Sequence, residues 1–205
     1  MIVILGTAHH KNTPGKRSPD GRLIEYRWSR EICEAIKAEL AREGIECVID
    51  YLDDIIASTS SQELQRRVQT VNAICNNKGY KNCMYISVHV NAAGSDGEWH
   101  NARGWSVYTS KGVTQADRLA TEIYNCAKQV LPHDNKSYVR QDTRDGDPDF
   151  ESDFYVLKHT KCIAVLTENL FMDNRDDVEY LLSDAGKKDI VNIHTQAIFN
   201  YLKKI

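Results

Sequence analysis

At 205 residues the chain is long enough to bury one sizeable core, and 41% hydrophobic with 27% charged residues is the mix of a globular domain, not of a disordered or fibrous chain. A formal net charge of -3 excludes the basic excess of a protein that lives on phosphate backbones, so nucleic acid is not an expected partner. No apolar run approaches the roughly 18 residues that a membrane span requires, and no membrane partner is expected.

Met1-Ile2-Val3-Ile4-Leu5 is too short for the apolar region of a signal peptide and has no basic segment before it, so it reads as a first core strand. Gly6 to Leu23 is polar and carries Pro14, Gly15, Pro19 and Gly21, the composition of a long loop above a strand end. Ile24, Trp28, Ile32, Ile36 and Leu40 recur every fourth residue. They mark an amphipathic helix from Ile24 to Glu43, closed by Gly44, with Glu25 in its first turn. Ile45 to Tyr51 then completes a strand, helix, strand unit of the kind that builds parallel sheet.

Ser60 with Glu63 forms a capping-box pattern ahead of a helix that Gly79 ends. Tyr85-Ile86-Ser87-Val88-His89-Val90-Asn91 follows, a strand closing on a histidine and a loop. Gly104 to Thr109 alternates as a strand, and Leu119 to Val130 has helical spacing up to Pro132. His133 to Phe150 reads as loop, and Phe154 to Leu157 fits either a strand or a helical turn. Cys162 to Thr167 is a buried strand with Glu168 at its end, and two helices finish the chain, Arg175 to Leu182 and Ala185 to Lys204. The expected architecture is α/β: a single domain over 1–205, with a mostly parallel twisted sheet flanked by helices on both faces. The six cysteines are scattered without a C-x-x-C pair, which favours free thiols over a disulfide framework or a thiolate zinc site.

Chemistry concentrates at strand ends. His9 follows the first strand, His89 ends a central one and Glu168 ends the late one; Glu25 opens the helix after the first loop. The carboxyl ends of strands in an open α/β sheet share one edge, so these residues can converge there. Each has a plainer reading. A lone histidine in an apolar strand is more often structural, and an acid in a first helical turn is favoured by the helix dipole alone. Together they match another requirement, that of a catalytic zinc with three N or O ligands, an open position, and a separate carboxylate to move protons. His100, His133, His159 and His194 complete no ligand set. Asn91, Tyr138 and Arg140 are candidates for substrate contact that solvation explains equally well; Trp99 and Trp105 flank a loop where they could stack on a substrate, and core or loop packing is the better reading of Trp105.

These residues resemble the zinc-dependent N-acetylmuramoyl-L-alanine amidases, the catalytic-domain family of bacterial cell-wall amidases and phage endolysins. The family begins with Gly-His-Gly-Gly-x-Asp-Pro-Gly after a strand. Here Ala8-His9-His10-Lys11-Asn12-Thr13-Pro14-Gly15 keeps the histidine and Pro-Gly but not the other glycines or the aspartate. Its glutamate opens the next helix, as Glu25 does, and Ile86-Ser87-Val88-His89-Val90-Asn91-Ala92 follows its Ile-Ser-x-His-x-Asn-Ala. The last signature, a glutamate and then Gly-Phe-x-x-Asn, is met by Glu168, Phe171 and Asn174, with Leu170 where the glycine belongs.

The resemblance implies that His9, Glu25 and His89 bind Zn2+ and that Glu168 is the catalytic carboxylate. His10 is the alternative first ligand if the loop register differs by one. It further implies cleavage of the amide between N-acetylmuramic acid and L-alanine in peptidoglycan, in an endolysin-like role. The expected route is synthesis in the cytoplasm without a visible signal peptide and action on the cell wall after release. Two other readings stay open: an inactive peptidoglycan-binding module with a degenerate metal site, and a zinc peptidase acting on the stem peptide.

Overall fold

A computed structural model describes residues 1–51, 59–131 and 139–205. Six strands form one sheet in the order β2-β1-β3-β6-β4-β5. The strands are β1 (Ile2–Thr7), β2 (Cys47–Asp50), β3 (Cys83–Asn91), β4 (Ser106–Thr109), β5 (Phe150–Glu151) and β6 (Ile163–Phe171). β1 pairs in parallel with β2 and β3, β3 with β6, and β4 with β5, while β4 runs antiparallel to β6. The helices are α1 (Glu25–Arg42), α2 (Ser60–Lys78), α3 (Ala116–Val130), α4 (Tyr155–His159), α5 (Arg175–Leu182) and α6 (Asp184–Leu202). No helix among the described residues is long and apolar enough to cross a membrane.

Every residue of β1 is buried, because helices cover both faces. Side chains alternate along β3: Met84, Ile86, Val88 and Val90 enter the larger core, with Trp28, Ile32 and Ile36 of α1 and the apolar residues of α3 and α6. Cys83 and Tyr85 enter a smaller core with Val68 and Val71 of α2 and Val156 of α4. The same alternation puts Ser87 and His89 on the smaller-core face. Gly6 is small because the Tyr85 hydroxyl lies where a Cβ would be. β1 connects outward to β2 on one side, and β3 leads towards β6 on the other. The carboxyl ends of β1 and β3 therefore form the switch point at which open α/β sheets hold ligands.

Four local expectations change. The cap of α2 is Thr59, whose hydroxyl accepts from the Gln62 backbone N–H at 3.2 Å, and Glu63 turns inward instead of back to a Ser60 box. β5 and α4 resolve what read as loop and as an ambiguous turn; β5 is only two residues long, too short for a visible alternation. The expected loop positions 132–138 lie outside the described residues, His133 and Tyr138 among them. Finally, Glu168 does not end its strand: β6 continues to Phe171 through a register shift opposite His89 and Asn91. The irregularity holds Leu170 at φ 64 with its side chain fully buried. That conformation suits glycine and costs another residue about 1–3 kcal/mol, here offset by a buried leucine.

Candidate metal centre

Glu25 is 1% exposed, which the dipole reading of a first-turn acid does not explain. Its Oε1 accepts from the Val90 backbone N–H at 3.1 Å and lies 3.2 Å from His89 Nδ1, so the start of α1 is fastened to β3. His9 stands two residues past β1 at φ 50, a left-handed conformation more frequent for His than for most side chains. Its Nε2 lies 3.3 Å from Glu25 Oε2, in a geometry that makes no hydrogen bond. The two imidazoles meet edge to face, with ring centroids 5.2 Å apart.

One donor atom from each of His9, Glu25 and His89 lies within 4.8 Å of the others, and no other such group of three occurs among the described residues. Ligands bound tetrahedrally at about 2.0–2.1 Å sit roughly 3.3 Å apart. The His89 and His9 nitrogens lie 3.2 and 3.3 Å from the two different oxygens of Glu25, so each histidine–carboxylate separation is of that order. Protonation agrees. Burial works against the Glu25 carboxylate, but the His89 and His9 imidazoles beside it outweigh that and hold it far below the ordinary carboxylate range. Burial pushes His89 below the usual histidine value, against the pull of Glu25. A charged carboxylate and a neutral imidazole are the forms a metal takes.

Ser87 is a residue the sequence motif contains but that carries no obvious signal of its own. Two positions before His89 on the same strand face, its Oγ lies 3.0 Å from His89 Nε2. When the hydroxyl accepts from Nε2–H, the Nδ1 lone pair faces the Glu25 carboxylate, and two acceptors facing each other call for a cation between them. The only advance sign was the i, i+2 spacing in a strand.

Glu168 pairs in register with His89, so the two side chains emerge side by side on one face. It is half-buried, and its Oε2 has no hydrogen-bond partner among the described residues. Burial first, and then the Glu25 charge, raise it well above the usual carboxylate range, opposed by Lys16 and Arg140.

His10 is not drawn into this group: it is 4% exposed, and its Nδ1 accepts from the Asn12 backbone N–H at 3.2 Å. His100 bonds to Asp96, His159 stacks on Tyr155 and His194 is buried under β6. Trp105 is fully buried, as expected, and its indole N–H donates to Asn169 Oδ1 at 2.8 Å. Trp99 is covered by Arg175, 4.4 Å from the ring centre.

The loop carrying His9 is held by residues that sequence patterns do not mark. Ser29 of α1 accepts from the Ala8 backbone N–H at 2.9 Å and donates to the Val88 carbonyl at 2.7 Å. Arg67 of α2, 2% exposed, donates to Asp50 Oδ2 at 3.0 Å and to the His9 carbonyl at 3.4 Å. Glu63 lies 3.6 Å from Arg67 and accepts from Thr13 Oγ1 at 3.1 Å. Thr13 occupies the position of the aspartate in the resembling motif, and a buried ion group takes over the fastening of a glycine-poor loop.

The profile of the N-acetylmuramoyl-L-alanine amidase family matches residues 3–200. The chain belongs to that family. It is similar to the endolysin of Bacillus phage SPP1, 29% identical over 120 residues, a match that covers 58% of this chain and 40% of that endolysin. The amidase fold is shared with the CwlD amidase from Clostridioides difficile, solved in complex with the GerS lipoprotein. That structure is 19% identical, with a TM-score of 0.78 over 100% of this chain and 99% of that one. The amidase AmiC2 of Nostoc punctiforme is 20% identical, with a TM-score of 0.75 over 99% and 97% of the two chains.

Proposed function

We propose that this amidase-family chain is a zinc hydrolase that cleaves the amide between N-acetylmuramic acid and L-alanine of the peptidoglycan stem. The observation that carries the reading is the closure of His9, Glu25 and His89 at the switch point, with Glu168 in register beside them. In this reading those three residues hold Zn2+, because two imidazoles and one carboxylate are a donor set that suits it and leaves a position open. Bound there, zinc supplies a Lewis acid that polarises the amide carbonyl and lowers the pKa of a water.

The chain's own residues do the rest. Glu25, anchored on Val90 N–H, and Ser87, behind His89, keep the donor atoms in place without adjustment during turnover. Glu168 takes a proton from the attacking water at its free Oε2 and passes it to the leaving alanine nitrogen. A carboxyl that burial raises well above its ordinary range holds a proton more readily, which suits it to pass one to the leaving nitrogen. The site of action we propose is the cell wall, reached after synthesis in the cytoplasm, in an endolysin-like role supported by the likeness to the phage SPP1 protein.

Zinc content by plasma mass spectrometry tests the ligand set: about one ion per chain is expected, falling to background in His89→Ala. Glu168→Gln is expected to keep its zinc and to release no stem peptides from purified wall. Full turnover by that variant removes Glu168 from the reaction, and full turnover by metal-free protein removes zinc. Binding to wall without any cleavage by the zinc-loaded wild type supports the inactive-module reading instead.

A further inference from the structure

Arg140 follows Val139, which bridges to Trp105, and its backbone N–H donates to the Trp105 carbonyl at 2.8 Å. Its guanidinium lies 5.5 Å from the ring centre of Phe150 on β5 and 5.4 Å from that of Phe171 on β6. Phe171 is three residues beyond Glu168, and Ser106 of β4, next to Trp105, pairs with Glu168 in register. Two aromatic faces therefore hold a cation at the edge of the proposed site, and its charge is felt by Glu168. Among the described residues the guanidinium makes neither an ion pair nor a hydrogen bond, and its planar fork of donors is not taken up by them.

A stacked arginine has given up little donor capacity and much conformational freedom, which prepares it for a planar anion. Several other arginines already have an acid: Arg22 has Asp20 and Glu179, Arg67 has Asp50, and Arg144 has Asp142. Lys16, from the loop after His9, is a second cation whose charge reaches Glu168. Lys16 and Arg140 offset the charges of Glu25 and Glu168, so in a chain of net charge -3 this rim carries no excess of negative charge.

We infer that Arg140 binds a carboxylate of the substrate, the free α-carboxyl of the acidic residue that follows L-alanine in the stem. This rests on the amidase reading and adds to it a preference. A carboxylate fits the fork through two parallel N–H···O bonds, and a carboxamide at the same place offers one acceptor oxygen and no charge. Arg140 is thus a binding residue for the stem, and stems amidated at that carboxyl are the poorer ligands.

The test uses two synthetic N-acetylmuramoyl peptides that differ only in this group, free acid against carboxamide. Their binding is measured by calorimetry on zinc-loaded Glu168→Gln, which separates binding from turnover. The acid is expected to bind at least tenfold more tightly, and adding Arg140→Gln is expected to bring the ratio to within twofold. Arg140→Lys, which keeps the charge and loses the fork, is expected to fall between. Far-ultraviolet circular dichroism and melting of each variant show that it is folded. Equal binding of the two peptides by the parent, or an unaltered ratio in Arg140→Gln, overturns the inference. The amidase reading is judged separately by release of stem peptide by the wild type: cleavage of both peptides at equal kcat/KM leaves that reading standing and sinks only the role of Arg140.

Discussion

The two histidines of the candidate metal centre are placed by different means. His89 sits on β3, whose register with β1 runs up to Val88 and with β6 includes His89 itself, and its direction follows from strand alternation. His9 sits in a loop with a left-handed backbone, and its place depends on Ser29 and on the buried Arg67–Asp50–Glu63 group. The strand side is thus set by a periodic backbone pattern that many residues share, and the loop side by a few long-range side-chain bonds. Damage on the loop side is expected to loosen one ligand, and damage behind the strand side to weaken the whole sheet.

Arg67→Met is expected to have the largest effect, and on the loop side. Removing the cation leaves Asp50 and Glu63 buried and unpaired, a loss of about 3–5 kcal/mol in urea unfolding. Hydrogen exchange is expected to speed up first at the amides of residues 8–13, while those of β3 stay protected until global unfolding. Equal acceleration in both would remove the distinction between the two sides.

A smaller effect lies behind the strands. His194 is fully buried, its Nδ1–H donates to the Ile190 carbonyl at 2.7 Å, and Thr167 Oγ1 of β6 lies 3.0 Å from Nε2. Burial lowers it to about 4. The unfolded chain therefore binds this proton near pH 6.5 and the folded chain only near pH 4, so stability is full above 6.5 and is lost as pH falls through that window. The difference amounts to about 3 kcal/mol. It is read as the change in urea midpoint between pH 7 and pH 4.5, minus the same change in His194→Leu. Raised acids such as Asp149, held near 7 by burial, act in the opposite direction but cancel in the subtraction. An identical pH profile in the variant would refute the assignment.

Ser87→Ala gives the least effect on folding and a specific one on the metal. Losing the partner of His89 Nε2 is expected to weaken zinc affinity about 10–100-fold with no more than a small change in melting. Unchanged affinity in a competition titration would show that the hydroxyl does not orient the ring.

The same contrast explains what could be read in advance. The helix at Ile24 to Glu43, the strand carrying His89 and the buried strand before Glu168 follow from periods of 3.6 and 2, because each buries one face or both. His9 and Glu25 could be named as candidates, and a position on one rim follows from the parallel topology. Arg67, 58 residues from His9, and Ser29, 21 residues from Ala8, left no trace in any local pattern. A charged residue in a helix reads as exposed until its partners are known. Thr59 in place of Ser60 as the cap is a shift of one residue between two equivalent hydroxyls. The continuation of β6 past Glu168 was hidden by Leu170, whose left-handed backbone no propensity for leucine suggests.

Mass spectrometry of purified peptidoglycan digested by the zinc-loaded chain shows which bond is cut. Stem peptides with a new amino-terminal L-alanine and glycan strands bearing intact, peptide-free N-acetylmuramic acid are the expected products. Products cut within the stem, with alanine still joined to the sugar, would contradict it.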